Sequence, residues 1–418
     1  MTRLVLAGVL AVVLCHCGGG TNPIMSGGTS GSVEQTGGIG GTPTATDPNM
    51  VAVVVDSGPT GANYTNGIFA TVTLCEPGTS KCQTIYHLLV DTGSVGVRVL
   101  ESELTLSLPA VTTTAGGLVA ECTPFVDGTA WGPVRRADVV VGSESASNLP
   151  VQVIGEKTFL MPSSCTGSPI TDFRSLAANG ILGVGLFTED CGSTCAGPAA
   201  LQSTPYYACT TATACSVTSV PIADQVAHPV AAFPVDNNGT VIQLPSVPAS
   251  GAPSVPGVLI FGIGTQANNA LGGATVLSLD PSGFLGTTFP ASGTTMYTAY
   301  LDSGSNGLFF LNSATSKLAQ CTGGLSSFYC PTSTANLAAT IVGIGGTRTT
   351  VTFSVANAAK LPGNAYAFAN LAGPMPGFPS DSTVPGFDWG LPFYFGRSIF
   401  TAIEGKPTSG GPGPFFAF

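Results

Sequence analysis

Leu89-Val90-Asp91-Thr92-Gly93-Ser94-Val95-Gly96-Val97-Arg98-Val99-Leu100 has a second version in the same chain, Tyr300-Leu301-Asp302-Ser303-Gly304-Ser305-Asn306-Gly307-Leu308-Phe309-Phe310-Leu311. Asp, Gly, Ser, Gly and Leu fall at identical offsets. Each copy is followed at nearly the same distance by two apolar residues and a glycine: Ile181-Leu182-Gly183, ending 92 residues after Asp91, and Tyr394-Phe395-Gly396, ending 94 residues after Asp302. Leu186-Phe187 and Ile399-Phe400 extend the match. A single Asp-Gly or Ser-Gly neighbourhood is an everyday turn signal in β proteins. Two copies at matched spacing instead imply one lobe used twice, each of roughly 170 to 200 residues.

The surrounding sequence fits an all-β chain. From Met50 onward, short Val, Ile, Thr and Leu runs are separated by Gly, Pro and Asn, as in many strands joined by turns. Only 8% of the 418 residues are charged, while glycine and proline number 56 and 32, which excludes coiled coils and helix bundles. The formal charge of −10 gives nucleic acid nothing to bind through counterion release. With 44% hydrophobic residues the chain can bury a core, so the low charge does not signal disorder.

The duplicated motifs resemble those of pepsin-type aspartic peptidases, whose halves each carry apolar-apolar-Asp-Thr/Ser-Gly-Ser/Thr and a later apolar-apolar-Gly. Phe125-Val126-Asp127-Gly128-Thr129-Ala130-Trp131-Gly132, running on to Asp138-Val139-Val140-Val141-Gly142, resembles the family's flap hairpin. Gly257-Val258-Leu259-Ile260-Phe261-Gly262 resembles the segment that opens the second lobe, so the likeness covers about residues 50 to 410. The resemblance implies a bilobal double β-barrel with an active-site cleft between the lobes. A first lobe is expected over 48–256, with a cysteine-rich insertion at 188–250, and a second over 257–418. The chain is also similar to a bacterial lipoprotein family of unknown function.

What the resemblance implies about chemistry is specific. Asp91 and Asp302 would meet at the lobe junction and share one proton, because two adjacent carboxylates cannot both ionise cheaply. This dyad is a standard example of like-charge coupling rather than a new derivation. One carboxylate would take a proton from water and the other would polarise the scissile carbonyl, with no metal or cofactor needed. Thr92 and Ser303 would hydrogen-bond across the junction, and Ser94 and Ser305 would orient the carboxylates. Gly93 and Gly304 would let backbone approach them. Phe125, Asp127 and Gly128 would lie in the flap. Phe125 stands where the family has a tyrosine, and Arg98 where it has that tyrosine's tryptophan partner. The expected partner is an extended peptide or protein substrate bound by a monomer. The rival reading is a pepsin fold that binds peptide or glycan in its cleft without catalysis. A serine-hydrolase triad has little material, since outside the leader the histidines are His87 and His228.

Met1-Thr2-Arg3 precedes an uncharged run from Leu4 to Leu14, too short to span a bilayer. Cys15-His16-Cys17-Gly18 follows and resembles a bacterial lipoprotein signal, with Leu14 three residues before Cys17. The expectation is a signal peptide over 1–17, acylation at Cys17 and a Gly/Thr/Ser tether over 18–47. The protein would then be held in the bacterial cell envelope, in the periplasm or on the outer surface. Ten of the twelve cysteines remain after Cys17, and an oxidising compartment predicts five disulfides. Cys75/Cys82 and Cys321/Cys330 fit hairpin staples. Pairing among Cys191, Cys195, Cys209 and Cys215, and of Cys122 and Cys165, stays open. Zinc at that cluster has no neighbouring histidine to support it.

Overall fold

The computed structural model describes residues 46–125, 128–197, 204–378 and 385–418. The expected signal, Cys17 and nearly all of the tether lie outside these residues, as does Asp127.

The chain is almost entirely β-structure, as expected. Its α-helices among the described residues are single turns, Phe173–Leu176 and Ser313–Ser316. The first lobe is built from β1 (Met50–Asp56), β2 (Gly67–Cys75), β3 (Cys82–Asp91), β4 (Val95–Leu100), β5 (Leu118–Phe125), β6 (Gly128–Val141), β7 (Glu144–Ile154) and β8 (Gly180–Val184). Alternation drives their folding: in β6 Val139 and Val141 point inward while Asp138 and Val140 are only half-buried. Inward-facing Val72, Leu88, Val90, Val97, Val139, Val151 and Leu182 form the lobe's core.

The expected insertion divides in two. Strands β9 (Tyr206–Thr211) and β10 (Ala214–Val217) form a hairpin added to the outer edge of β5, giving the order β10-β9-β5-β6. By contrast β11 (Gly239–Leu244) pairs with β12 (Val255–Phe261) and with β21 (Arg397–Ala402), which also pairs with Phe415–Ala417, itself paired with β13 (Val276–Ser278). Since β12 also pairs with β1, these strands make a sheet that runs under both lobes. Its Val241, Val258, Ile260 and Phe400 close a separate apolar layer.

The second lobe is a seven-stranded sheet containing β14 (Leu285–Thr288), β15 (Met296–Leu301), β16 (Leu308–Phe310), β17 (Ala335–Val342), β18 (Arg348–Val355), β19 (Ala372–Gly373) and β20 (Phe387–Trp389), in the order β18-β17-β14-β15-β20-β16-β19. Stacked Phe310, Phe387 and Trp389 rings fill its centre.

The ten described cysteines all pair, as 75–82, 122–165, 191–195, 209–215 and 321–330. Three of these, 75–82, 209–215 and 321–330, staple local hairpins or turns, while 122–165 ties β5 to a loop that also bonds to β6 through Thr129 N–H and Ser168 O.

Candidate active site

Each lobe makes its aspartate loop in the same way. A strand runs into the Asp, the chain turns, and the next strand leaves. A third strand is inserted between the two, parallel to the first and antiparallel to the second. In the first lobe β8 lies between β3 and β4, with Asp91 opposite Gly183 and Gly96 opposite Gly183 from the other side. A side chain at Gly183 would sit 2.7 to 2.9 Å from the Val95 and Gly96 backbone, so glycine is required there.

In the second lobe the inserted strand is β20, between β15 and β16. Tyr300 lies beside Asp388 and Leu301 beside Trp389, which carries the register on to Asp302 beside Gly390. The equivalent of Ile181-Leu182-Gly183 is therefore Asp388-Trp389-Gly390, ending 88 residues after Asp302, and not Tyr394-Phe395-Gly396. The Ile399-Phe400 match falls with it, since those residues belong to β21. The cause is Asp388 itself: a carboxylate at the first position breaks the apolar-apolar-Gly pattern and leaves a better-looking copy six residues on. Gly390 again has no room for a side chain, with Gly307 O only 2.1 Å from a Cβ position.

The two loops interlock. Thr92 N–H donates to Ser303 Oγ (3.1 Å) and Ser303 N–H donates to Thr92 Oγ1 (2.9 Å). Ser303 Oγ donates onward to Val90 O (2.7 Å) and Thr92 Oγ1 to Leu301 O (3.3 Å), each reaching the strand of the opposite lobe. Both side chains are buried, so these bonds fix the lobes against each other without competition from water.

The carboxylates are held symmetrically. Gly93 N–H donates to Asp91 Oδ1 and Gly304 N–H to Asp302 Oδ1, both at 2.8 Å. Ser94 Oγ donates to Asp91 Oδ2, and Ser305 Oγ to Asp302 Oδ2 (2.9 Å). Each carboxyl also lies over the other loop's glycine: a Cβ on Gly93 would be 2.8 Å from Asp302 Cγ, and one on Gly304 would be 2.7 Å from Asp91 Oδ1. That same Gly304 Cβ position lies 3.1 Å from Asp302 Oδ1, so the two carboxyls face one shared space. Burial, then the charge of Asp91, then that of Asp388, hold the Asp302 carboxyl well above the usual carboxylate range.

Around this pair lie groups that the motifs alone do not reveal. The Tyr394 hydroxyl meets Thr92 Oγ1 at 2.9 Å, and burial keeps that phenol neutral. His228, fully buried, pairs Nε2 with Gly185 O at 3.2 Å while its Nδ1 accepts from the Val230 and Ala231 N–H groups. Since Gly185 N–H donates to Ser94 O, the histidine props the first loop from behind. Burial lowers His228 to about 4, so it is the neutral Nε2–H tautomer. His87, by contrast, sits against Phe69 and 3.7 Å from Asp56 Oδ2.

Phe125 ends β5 opposite Gly128, at the end of the hairpin expected to be the flap. Its ring packs on the cluster of Leu89 and Ile181 that supports the Asp91 loop. The Arg98 guanidinium lies 5.8 Å from the ring centroid, so the two positions that the resemblance pairs do meet, with different chemistry. Arg98 is buried and anchored by Glu121 Oε1 (2.9 Å) and Asp190 Oδ2 (3.1 Å).

Among solved structures the chain is similar to the crystal structure of an aspartic proteinase from Irpex lacteus, with 14% identity over 88% of this chain and 96% of that one and a TM-score of 0.51. That likeness establishes the fold as the pepsin-like double barrel. No curated protein sequence matches. Residues 45–418 match the model of the family described as protein of unknown function (DUF3443), and the chain belongs to that family.

Proposed function

We propose that the protein is an aspartic endopeptidase, with water activated between Asp91 and Asp302. The observation that carries this reading is the double cross-bonded loop holding two carboxyls over each other's glycines. Asp91 then removes a proton from water while Asp302 donates to the scissile carbonyl oxygen, and a tetrahedral intermediate forms without a covalent adduct to the protein. Proton return through the same pair expels the amine. Ser94 and Ser305 keep the outer carboxylate oxygens engaged, so the inner oxygens stay aimed at the water.

The substrate is an extended peptide crossing the cleft beneath the β5–β6 hairpin, and the protein works as a lipid-anchored monomer of the bacterial envelope. The N-terminal sequence supports that placement: a short apolar run, Cys17 and a flexible tether. Phe125 favours the second reading, a cleft that binds peptide or glycan without cutting it, because the flap hydroxyl of the resembled family is missing.

Full-length protein in detergent, incubated with a denatured protein mixture from acidic to neutral pH, separates the two. Cleavage that pepstatin blocks and that both Asp91→Asn and Asp302→Asn abolish supports the peptidase. Saturable peptide or glycan binding with no cleavage at any pH supports the rival. The anchor is tested separately, by incorporation of labelled fatty acid into the wild type and its loss in Cys17→Ser.

A further inference from the structure

Asp388 is a third carboxyl beside the dyad that the mechanism above does not use. It is 1% exposed on β20, between Tyr300 on β15 and Phe309 on β16. Its counterpart in the first lobe is Ile181, packed among Phe69 and Leu89. An apolar position in one lobe is thus a carboxyl in the other, and neither Asp388 oxygen has a well-directed hydrogen bond. The Ser305 and Tyr300 side chains act on its carboxyl, drawing it down against the burial that raises it. The other titratable groups that face it are Asp302 and Asp91 on the two loops and Tyr394 on the turn after β20.

Ser305 decides what Asp388 must be. Its hydroxyl has one proton, already donated to Asp302 Oδ2 at 2.9 Å. Toward Asp388 the Ser305 oxygen can therefore only accept. An ionised Asp388 would compete with Asp302 for that single proton, whereas a protonated one completes a chain running Asp388 O–H to Ser305 Oγ–H to Asp302 Oδ2. We propose that Asp388 is a positioning residue for the dyad: as a neutral carboxylic acid it donates to Ser305 and so commits the serine's proton to Asp302.

This proposal rests on the peptidase reading for its kinetic consequence, though not for its structural one. Burial is the main force on Asp388 and lifts it to about 8, so the neutral acid persists through the range where the dyad would work.

The experiment combines two readouts on wild type, Asp388→Asn and Asp388→Ile. Infrared difference spectroscopy over a pH titration counts protonated buried carboxyls whether or not the protein cleaves peptides. The wild type is expected to show, up to about pH 8, one protonated carboxyl more than either variant, beside that of Asp302. The same number of protonated carboxyls in the wild type and in both folded variants overturns the proposal. In the peptidase assay the wild type's alkaline limb of kcat/KM, set near pH 8 by the ionisation of Asp388, moves to higher pH in Asp388→Asn, whose amide cannot ionise. Asp388→Ile, which cannot donate to Ser305, loses about tenfold in kcat at unchanged KM, the scale of one hydrogen bond, and Asn loses less because its amide can donate. Identical pH profiles in all three active proteins overturn the proposal, since a purely structural residue would change stability without moving the limb. If the wild type is inert on every substrate the peptidase reading fails, and the infrared arm still decides the state of Asp388.

Discussion

The two aspartate loops have the same backbone path and the same bonds to their carboxylates, yet they rest on opposite chemistry. Beneath Asp91 the strand neighbours are Leu89 and Ile181, and a buried neutral histidine props Ser94 through Gly185. Beneath Asp302 the same positions are Tyr300 and Asp388, a phenol beside a buried carboxyl. Symmetry is kept where the lobes touch each other and where the carboxylates are held, at Thr92/Ser303 and Ser94/Ser305, and lost in the strands beneath. The difference teaches that the interlock, not the floor, defines the loop. The floor is free to carry groups whose shifts make stability depend on pH in opposite directions.

The largest effect tests the symmetric part. Asp91→Asn and Asp302→Asn are each expected to lower kcat by about 10³-fold or more, the range of a lost acid–base group. The double variant should be no worse than either single one, because the pair acts as one unit. Steady-state rates on a cleaved peptide decide it. A large asymmetry between the single variants would mean that only one loop takes part in proton transfer.

The floors can be exchanged. Ile181→Asp places a carboxyl in an apolar cluster with no hydroxyl partner, and is expected to cost about 4 kcal/mol at neutral pH in urea unfolding. Asp388→Ile removes a buried carboxyl without a well-directed bond and should be neutral or stabilising, even as it slows the reaction. Equal destabilisation by the two swaps would mean that Asp388 has structural bonding that its surroundings do not display.

Much of this molecule was legible in its sequence, and the failures have a common cause. The duplicated Asp-Thr/Ser-Gly-Ser segments located the interlock because their constraints are local: a glycine where a Cβ would strike the opposite carboxyl, and a hydroxyl where the lobes cross-bond. Ile181-Leu182-Gly183 was equally readable as a buried strand. Its partner was misplaced because the signature was apolar and the true strand carries Asp388. A searchable clue was present, since Gly390 is the next glycine after an aromatic-flanked strand and Gly96 and Gly307 each demand a glycine opposite. His228 left no such clue: it reaches Gly185 from a segment 43 residues away, through a contact that only the fold creates. The disulfide between Cys122 and Cys165 was invisible for the same reason.

The supports should also differ in how they titrate. His228 is depressed to about 4, so the unfolded chain binds its proton more readily, and its stabilisation is complete above about pH 6.5 and is lost as pH falls toward 4. That window corresponds to about 3 kcal/mol. Asp388, raised to about 8, runs the other way: its contribution is full below the ordinary Asp value and is lost as pH rises toward 8. Thermal unfolding across pH should therefore show His228→Gln removing a rise in stability from about pH 4 to 6.5, and Asp388→Asn removing a fall in stability that runs from about pH 4 to about pH 8. The same slope in both variants as in wild type would erase this contrast between the lobes.

The smallest expected effect concerns the hairpin whose Phe125 packs against the first lobe's floor. Phe125 packs on Leu89 and Ile181 and faces the Arg98 guanidinium, whose Nε and Nη1 are buried without partners. A hydroxyl added by Phe125→Tyr extends from the ring's far end, away from β5, and has two destinations. Toward the cleft it meets the substrate and water network, and kcat/KM rises about fivefold, the equivalent of about 1 kcal/mol for one added hydrogen bond. Toward Arg98 it accepts from a buried donor, and the gain appears in unfolding free energy while kcat/KM stays put. Because the β5–β6 hairpin is held at its base by the Cys122–Cys165 bridge and along its edge by β9, the ring has little freedom to turn inward. The expected result is the rise in rate. A more stable protein with an unchanged rate would instead make Arg98 the receiver of the hydroxyl, and the arginine would then be what replaces the tryptophan of the resembled family.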